Sequence, residues 1–232
     1  MIALITPSGF RPYQISLCEK YMQAQTYKGP VVWVIVDDAL PCSSSNISRE
    51  GWEVIHVYPS PVWEMGQNTQ GRNIKAGIDA VRDRDIEAYF IIEDDDYYKP
   101  CYLEEMMLRS NNCLVWGECQ TIYYNVVSRH WIENQNDKWS SLFQTAFKPF
   151  ALSFFERLYN EKFIDYAFFH IVPGVKLFKG NFSIGIKGQP GRGGIGAGHR
   201  NISNLIPDKS GEKLIELLGT DSIYYDRYNS RL

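Results

Sequence analysis

Four consecutive carboxylates, Glu93, Asp94, Asp95 and Asp96, follow directly on the apolar run Tyr89-Phe-Ile-Ile92. At the end of a buried strand such groups repel one another and lose hydration; both effects raise their pKa, so a counter-charge has to be supplied. A hard divalent cation supplies it, because Mg²⁺ or Mn²⁺ takes carboxylate oxygens and keeps coordination places for phosphate and water. Two spacings fit, Asp94-x-Asp96 and Glu93-x-Asp95, and both stay open. The plainer reading is a solvated acidic loop; the apolar strand that runs straight into the cluster argues for the metal.

A second chemical signal is Gly188-Gln-Pro-Gly-Arg-Gly-Gly-Ile-Gly-Ala-Gly-His-Arg200. Glycines let a backbone approach a phosphate and turn its N–H groups inward, while Lys187, Arg192 and Arg200 would neutralise a departing diphosphate. The spacing G-x-G-x-x-G occurs at Gly191, Gly193 and Gly196, but no strand–turn–helix context surrounds it and no Gly-Lys-Ser/Thr is present, which excludes a dinucleotide fold and a P-loop. A surface loop that orders only with ligand is the bland alternative.

Group transfer to a hydroxyl also needs a proton acceptor. Asp165, a single acid among apolar residues in Lys-Phe-Ile-Asp-Tyr-Ala-Phe-Phe-His, is the first candidate, ahead of His170 and Asp137. A helix cap or a buried ion pair would account for Asp165 as well. Trp63, Tyr97, Tyr98, Trp116 and Trp139 are candidate platforms for a sugar or a base, each with a core position as its alternative.

The elements that must position these groups alternate. Ile2–Thr6, Val31–Val36 and Tyr89–Ile92 are continuous apolar runs, the pattern of strands buried on both faces, and Trp52–Tyr58 alternates with period two. Helices are predicted from Pro12 to about Gln25 and over Arg72–Arg82, where Ile74, Ile78 and Val81 share a face. This rhythm predicts a mostly parallel sheet flanked by helices, with ligands at the strand carboxyl ends, where Thr6, Asp37-Asp38 and Glu93–Asp96 fall. Further on, Leu114–Glu118 and Thr121–Val127 look antiparallel, a helix is predicted over about Phe150–Tyr159, and a last one over Glu212–Leu218. The 232 residues suit one domain, read in two halves, 1–110 and 111–232.

Composition narrows the class. Hydrophobic residues make up 44% and charged ones 22%, ordinary globular usage that excludes disorder and fibrous architectures. The start has no basic leader, and no apolar stretch reaches the roughly 18 residues of a membrane span, so a soluble cytoplasmic protein is expected. Five cysteines without C-x-x-C spacing read as reduced thiols, and the sequons at Asn46, Asn181 and Asn201 as inert. Net charge is −3, but Gly174–Lys213 holds seven basic residues against two acids, a basic third facing an acidic middle.

With these residues in view, the chain resembles a GT-A-fold glycosyltransferase of the family 2 type. The likeness rests on Thr6-Pro7 and Arg11-Pro12 at the first strand, on Val-Ile-Val-Asp-Asp closing the second, and on Arg72-Asn-Ile-Lys75-Ala-Gly-Ile before the acidic run, over residues 2 to 108. It implies a nucleotide-sugar donor, with UDP expected, and a Mn²⁺ or Mg²⁺ bridging the diphosphate. It implies donor contacts from Thr6, Arg11, Asp37, Asp38, Arg72, Lys75 and Asp94, a late histidine, here His199, completing the metal shell, and a base in the region of Asp165. The acceptor stays open among a soluble glycan, a protein and, if the chain is phage-encoded and works in the host cytoplasm, a hydroxymethylated pyrimidine in DNA. A nucleotidyltransferase and a catalytically silent binding module are the rival readings.

Overall fold

A computed structural model describes residues 1–39, 47–192 and 204–231. The first strand, β1 (Ile2–Ser8), leads through a tight loop into α1 (Pro12–Gln23), which starts on proline at its first position, where the missing N–H costs nothing. The strands β2 (Val31–Asp37) and β3 (Trp52–Val57) follow, then α2 (Gln70–Asp79), β4 (Ala88–Ile91) and the two-residue β5 (Tyr97–Tyr98). After α3 (Tyr102–Leu108) come β6 (Val115–Glu118), β7 (Gln120–Asn125), β8 (His130–Gln135) and β9 (Thr145–Phe147). The chain closes with α4 (Leu152–Phe155), α5 (Ile164–Ile171), β10 (Val175–Phe178), β11 (Ser183–Lys187), β12 (Ile206–Pro207), α6 (Glu212–Leu218) and a 3-10 stretch over Gly219–Arg231.

Seven strands form the main sheet in the order β10-β6-β9-β4-β1-β2-β3. All run parallel except β9, which pairs antiparallel with both β4 and β6. The sheet is therefore mixed and mostly parallel, as the alternation of runs and helices predicts. The register sets Ser8 opposite Asp37, and Ile5 opposite Ile91, so the residues following β1, β2 and β4 emerge together at one edge. The second sheet has the order β12-β8-β7-β11-β5. In it Tyr97 and Tyr98, next to the acidic run, pair with Ile184 and Ser183, and this carries Lys187 at the end of β11 back to the carboxylates.

Apolar side chains cover both faces of the main sheet. One core joins α1, α3, α6 and the second sheet around Trp33, Trp116, Tyr98 and Tyr102; the other joins α2, α4 and α5 around Phe147, Phe155 and Phe168. Burying each such side chain contributes about 1.5–3 kcal/mol, ample to hold polar groups against the sheet edge. Because β6, β9 and β10 of the second half complete the sheet begun by the first, the chain forms one domain. Among the described residues no helix is long and apolar enough to cross a membrane.

The segments 114–118 and 121–127 pair antiparallel as expected, β6 with β9 in the main sheet and β7 with β8 in the second. Two expectations are corrected. The helix over 150–159 is broken into 3-10 turns on either side of the four-residue α4. The helix over 72–82 begins at Gln70 and ends at Asp79.

Candidate active site

The loop between β1 and α1 is three residues long, and its Phe10 adopts φ 47°, the left-handed region that a non-glycine side chain enters only under constraint. The constraint is visible: Phe10 N donates to Asp37 Oδ1 at 3.0 Å. This turn brings Arg11 inward, where its guanidinium spans two carboxylates, Nη1 to Asp94 Oδ1 at 3.1 Å and Nη2 to Asp95 Oδ2 at 2.6 Å. Ser8 Oγ donates to the other Asp94 oxygen at 2.7 Å. Burial works against the Arg11 charge, yet Asp94 and Asp95 more than offset it and raise its pKa.

On the opposite side Lys187 Nζ lies 3.1 Å from Asp96 Oδ1, which also accepts from Ile186 N at 2.8 Å. Gln70 Nε2 donates to Glu93 Oε1 at 2.7 Å. Burial pushes the Glu93 carboxyl up to about 7, with Lys187 opposing and Asp95 adding to the rise. Burial likewise lifts Asp94 to about 6 against the pull of Arg11, and lifts Asp96 well above the usual carboxylate range.

The register of the acidic run is now readable in the geometry. Glu93, Asp95 and Asp96 each bring a carboxylate oxygen to within 4.8 Å of the others. Asp94 points instead at Ser8 and Arg11 and is not part of that group. The three-carboxylate group fits a hard divalent ion by its donor chemistry, and the buried Asp96 Oδ2 has no hydrogen-bond partner among the described residues, an acceptor that a cation would satisfy. His199 and Arg200, expected as metal ligand and diphosphate contact, lie outside the described residues, as do Gly193 and Gly196.

A cleft of about 240 Å³ opens over this group. Arg11, Glu93, Asp94 and Asp95 form its floor, with Lys187 and Arg192 among its walls, and Asp165 looks into it from the first turn of α5. Asp165 Oδ1 accepts from Tyr166 N at 2.9 Å, and burial raises the Asp165 pKa despite that bond. Asp165 is thus near a helix start and in the cleft at once. The two other base candidates do not line the cleft: His170 is exposed with Nδ1 2.6 Å from Tyr166 O, and Asp137 is exposed and accepts from Gln135.

Asp38 forms a second polar centre. It accepts from Thr69 Oγ1, from Arg72 Nη2 at 3.0 Å and from Arg192 Nη1 at 3.0 Å, and its carbonyl receives Trp63 N at 2.7 Å. The Arg192 guanidinium lies 5.0 Å over the Trp63 ring. Gln189 Nε2 donates to Asp95 O at 2.6 Å and Gln14 Nε2 to Pro190 O at 2.7 Å, so residues 189–192 cross from β11 to the first half of the chain. Asp37 shapes the loop by accepting from Phe10 and Ala39 backbone N–H.

Two donor contacts expected from the resemblance fall elsewhere. Thr6 is fully buried, its hydroxyl accepting from Trp33 Nε1 at 2.8 Å, and the neighbouring Pro7 is the residue at the cleft. Lys75 lies on the outer face of α2, paired with Asp79 one turn on. Of the aromatic candidates, Tyr97, Tyr98 and Trp116 are core. Composition offered no signal for Ser8, Thr69, Gln70, Tyr123 and Ser141, which line the cleft or hold its charges; Thr69 occupies the N-cap position of α2 but spends its hydroxyl on Asp38.

No protein-family model matches the chain, and no curated protein is similar to it in sequence. Solved structures are similar in fold. S. aureus TarS aligns with a TM-score of 0.55 at 12% identity, over 80% of this chain and 36% of TarS. TarS 1-349 in complex with UDP-GlcNAc gives 0.53 at 11% identity, over 83% of this chain and 60% of that one. The complex of TarS 1-349 with UDP gives 0.50 at 12%, over 80% and 60%. This chain therefore spans less than two thirds of each. At such identities the likeness is one of fold, and the fold is the mixed, mostly parallel GT-A class that the sequence resemblance implies.

Proposed function

We propose that this protein is a metal-dependent glycosyltransferase that moves a hexosyl group from a UDP-sugar to a hydroxyl acceptor. The observation that carries the reading is the convergence on one cleft of an acidic group able to hold Mn²⁺ or Mg²⁺, of cationic side chains able to receive a diphosphate, and of an isolated carboxylate, Asp165, on a different element. Two of the structures similar in fold were solved with UDP and with UDP-GlcNAc, which supports a nucleotide-sugar donor for this chain.

Glu93, Asp95 and Asp96 would hold the cation, which when bound neutralises charge on the diphosphate. Asp165 takes the proton of the acceptor hydroxyl while the acceptor oxygen bonds to the sugar's anomeric carbon. The bond from that carbon to the diphosphate oxygen breaks, and UDP leaves with its new charge facing Lys187 and Arg192. Arg11 orients Asp94 and Asp95, and Arg72 with Thr69 orients Asp38 beside the nucleoside. In this reading residues 1–110 bind the donor, with Lys187 and Arg192 reaching its diphosphate from the second half, and residues 111–232 otherwise bind the acceptor.

Incubation of the protein with a panel of nucleotide sugars and Mn²⁺, read by mass spectrometry, tests the class. Release of UDP, by transfer or by slow hydrolysis, supports a transferase. Release of pyrophosphate when nucleoside triphosphates and sugar 1-phosphates are offered instead would point to a nucleotidyltransferase, and no turnover of any of these to a silent binding module.

A further inference from the structure

We propose that the aromatic stripe of α5, formed by Phe163, Tyr166 and His170 with Trp139 beside it, is the acceptor platform, and that the acceptor it takes is a neutral carbohydrate. The inference rests on the transferase reading and adds the acceptor class to it. Phe163 is the N-cap residue of α5, and Tyr166 and His170, four residues apart, share one side of the helix. Phe163 and Tyr166 are 52% and 50% exposed, an unusual state for rings next to a cleft that buries so many charges. Phe163 lines the cleft two residues before Asp165, so the stripe begins beside the carboxylate that would accept the proton.

The rings hold one another. Tyr166 and His170 lie 4.1 Å apart between centroids, and Tyr166 meets Trp139 edge-on at 5.3 Å. Such a ledge is ordered before a ligand arrives and loses little entropy on binding. A pyranose has an apolar face of C–H groups that lies flat on an aromatic ring, while its hydroxyls project at the rim. A sugar on Phe163 or Tyr166 would present one of them toward Asp165.

Charge decides between a neutral glycan and a nucleic acid, whose bases could use the same rings. The charged residues within two positions of the stripe's members in sequence are Asp137, Lys138, Glu161, Lys162 and Asp165, two basic and three acidic, so the stripe's own segments carry no positive surplus for a phosphate backbone. The basic surplus of the C-terminal third does not supply one, because its cleft-lining members Lys187 and Arg192 are the cations already assigned to the donor diphosphate.

The test is acceptor use by the full-length protein with Mn²⁺ and its best UDP-sugar, offered neutral oligosaccharides of three to five residues and, separately, single-stranded and hydroxymethylated duplex DNA. Transfer to a glycan, with the ratio of transfer to donor hydrolysis falling at least tenfold in Tyr166→Ala and recovering to within about threefold in Tyr166→Phe, supports the proposal. Transfer that ignores Tyr166→Ala, use of DNA in preference to every glycan, or donor hydrolysis with no glycan accepted overturns it while leaving the transferase reading intact. Failure to turn over any UDP-sugar overturns both.

Discussion

Lys187 Nζ stands 3.1 Å from Asp96 Oδ1, and the two side chains are 6% and 0% exposed. A lysine buried this deeply loses hydration, but Asp96, Asp95 and Glu93 more than compensate and raise its pKa. Replacing it with a methionine of similar length leaves the carboxylates without that partner. Lys187→Met should lower stability by about 3–5 kcal/mol, the usual cost of breaking a buried pair from one side. Urea denaturation measures this, and added Mn²⁺ should recover part of the loss.

The elevated carboxyls make metal-free stability depend on pH in an unusual direction. Glu93 titrates near 7 and Asp94 near 6 in the folded protein, whereas in the unfolded chain both lose their protons near 4. Between those limits the folded state binds more protons, so stability falls as pH rises. Thermal melting in EDTA should therefore give a lower midpoint at pH 7.5 than at pH 5.5, with Mn²⁺ narrowing the difference. A midpoint that rises over that range would contradict the assignment.

Asp165→Asn removes the proton acceptor and leaves the donor contacts in place. Transfer to an acceptor should fall by roughly 10²–10⁴-fold, while UDP affinity changes by less than about threefold. Because burial raises the Asp165 pKa, the acid limb of kcat/KM for the intact protein should lie above the ordinary aspartate value. A titration with UDP and a pH–rate profile separate the two effects.

Away from the cleft, Asp208 accepts from Tyr124 Oη at 2.8 Å and from the N–H groups of Lys213 and Leu214, both at 3.2 Å, and so caps α6. These bonds hold its pKa below the ordinary aspartate value against the effect of burial. Their contribution is present above about pH 4 and is lost as pH falls through the lowered value. Asp208→Ala should cost about 1–2 kcal/mol at pH 7 and much less near pH 3, as read by denaturation at the two pH values.

Much of this organisation is legible in the sequence, for reasons that differ between residues. β1, β2 and β4 show as unbroken apolar runs because both their faces are covered, and α6 shows its full extent by periodicity. β9 and β11 do not show, being three and five residues long and lacking alternation, yet β11 is what delivers Lys187. The orientation of Asp94 is invisible in a run of four like charges; it is decided by Ser8 and Arg11, 86 residues earlier in the case of the Ser8 bond. Lys75 is the opposite case. The helical period that buries Ile74 and Ile78 turns Lys75 outward to Asp79, a signal stronger than the family resemblance that suggested a donor contact.

The central claim is that Glu93, Asp95 and Asp96 bind a divalent cation shared with a diphosphate. Thermal melting with UDP, in Mn²⁺ and in EDTA, for the intact protein and for Asp95→Asn, tests it most directly. The account predicts that UDP at about 100 times its Kd raises stability by roughly 2.7 kcal/mol in Mn²⁺, and that this effect disappears in EDTA and in the variant. Equal stabilisation by UDP with and without metal, or its survival in Asp95→Asn, would contradict it.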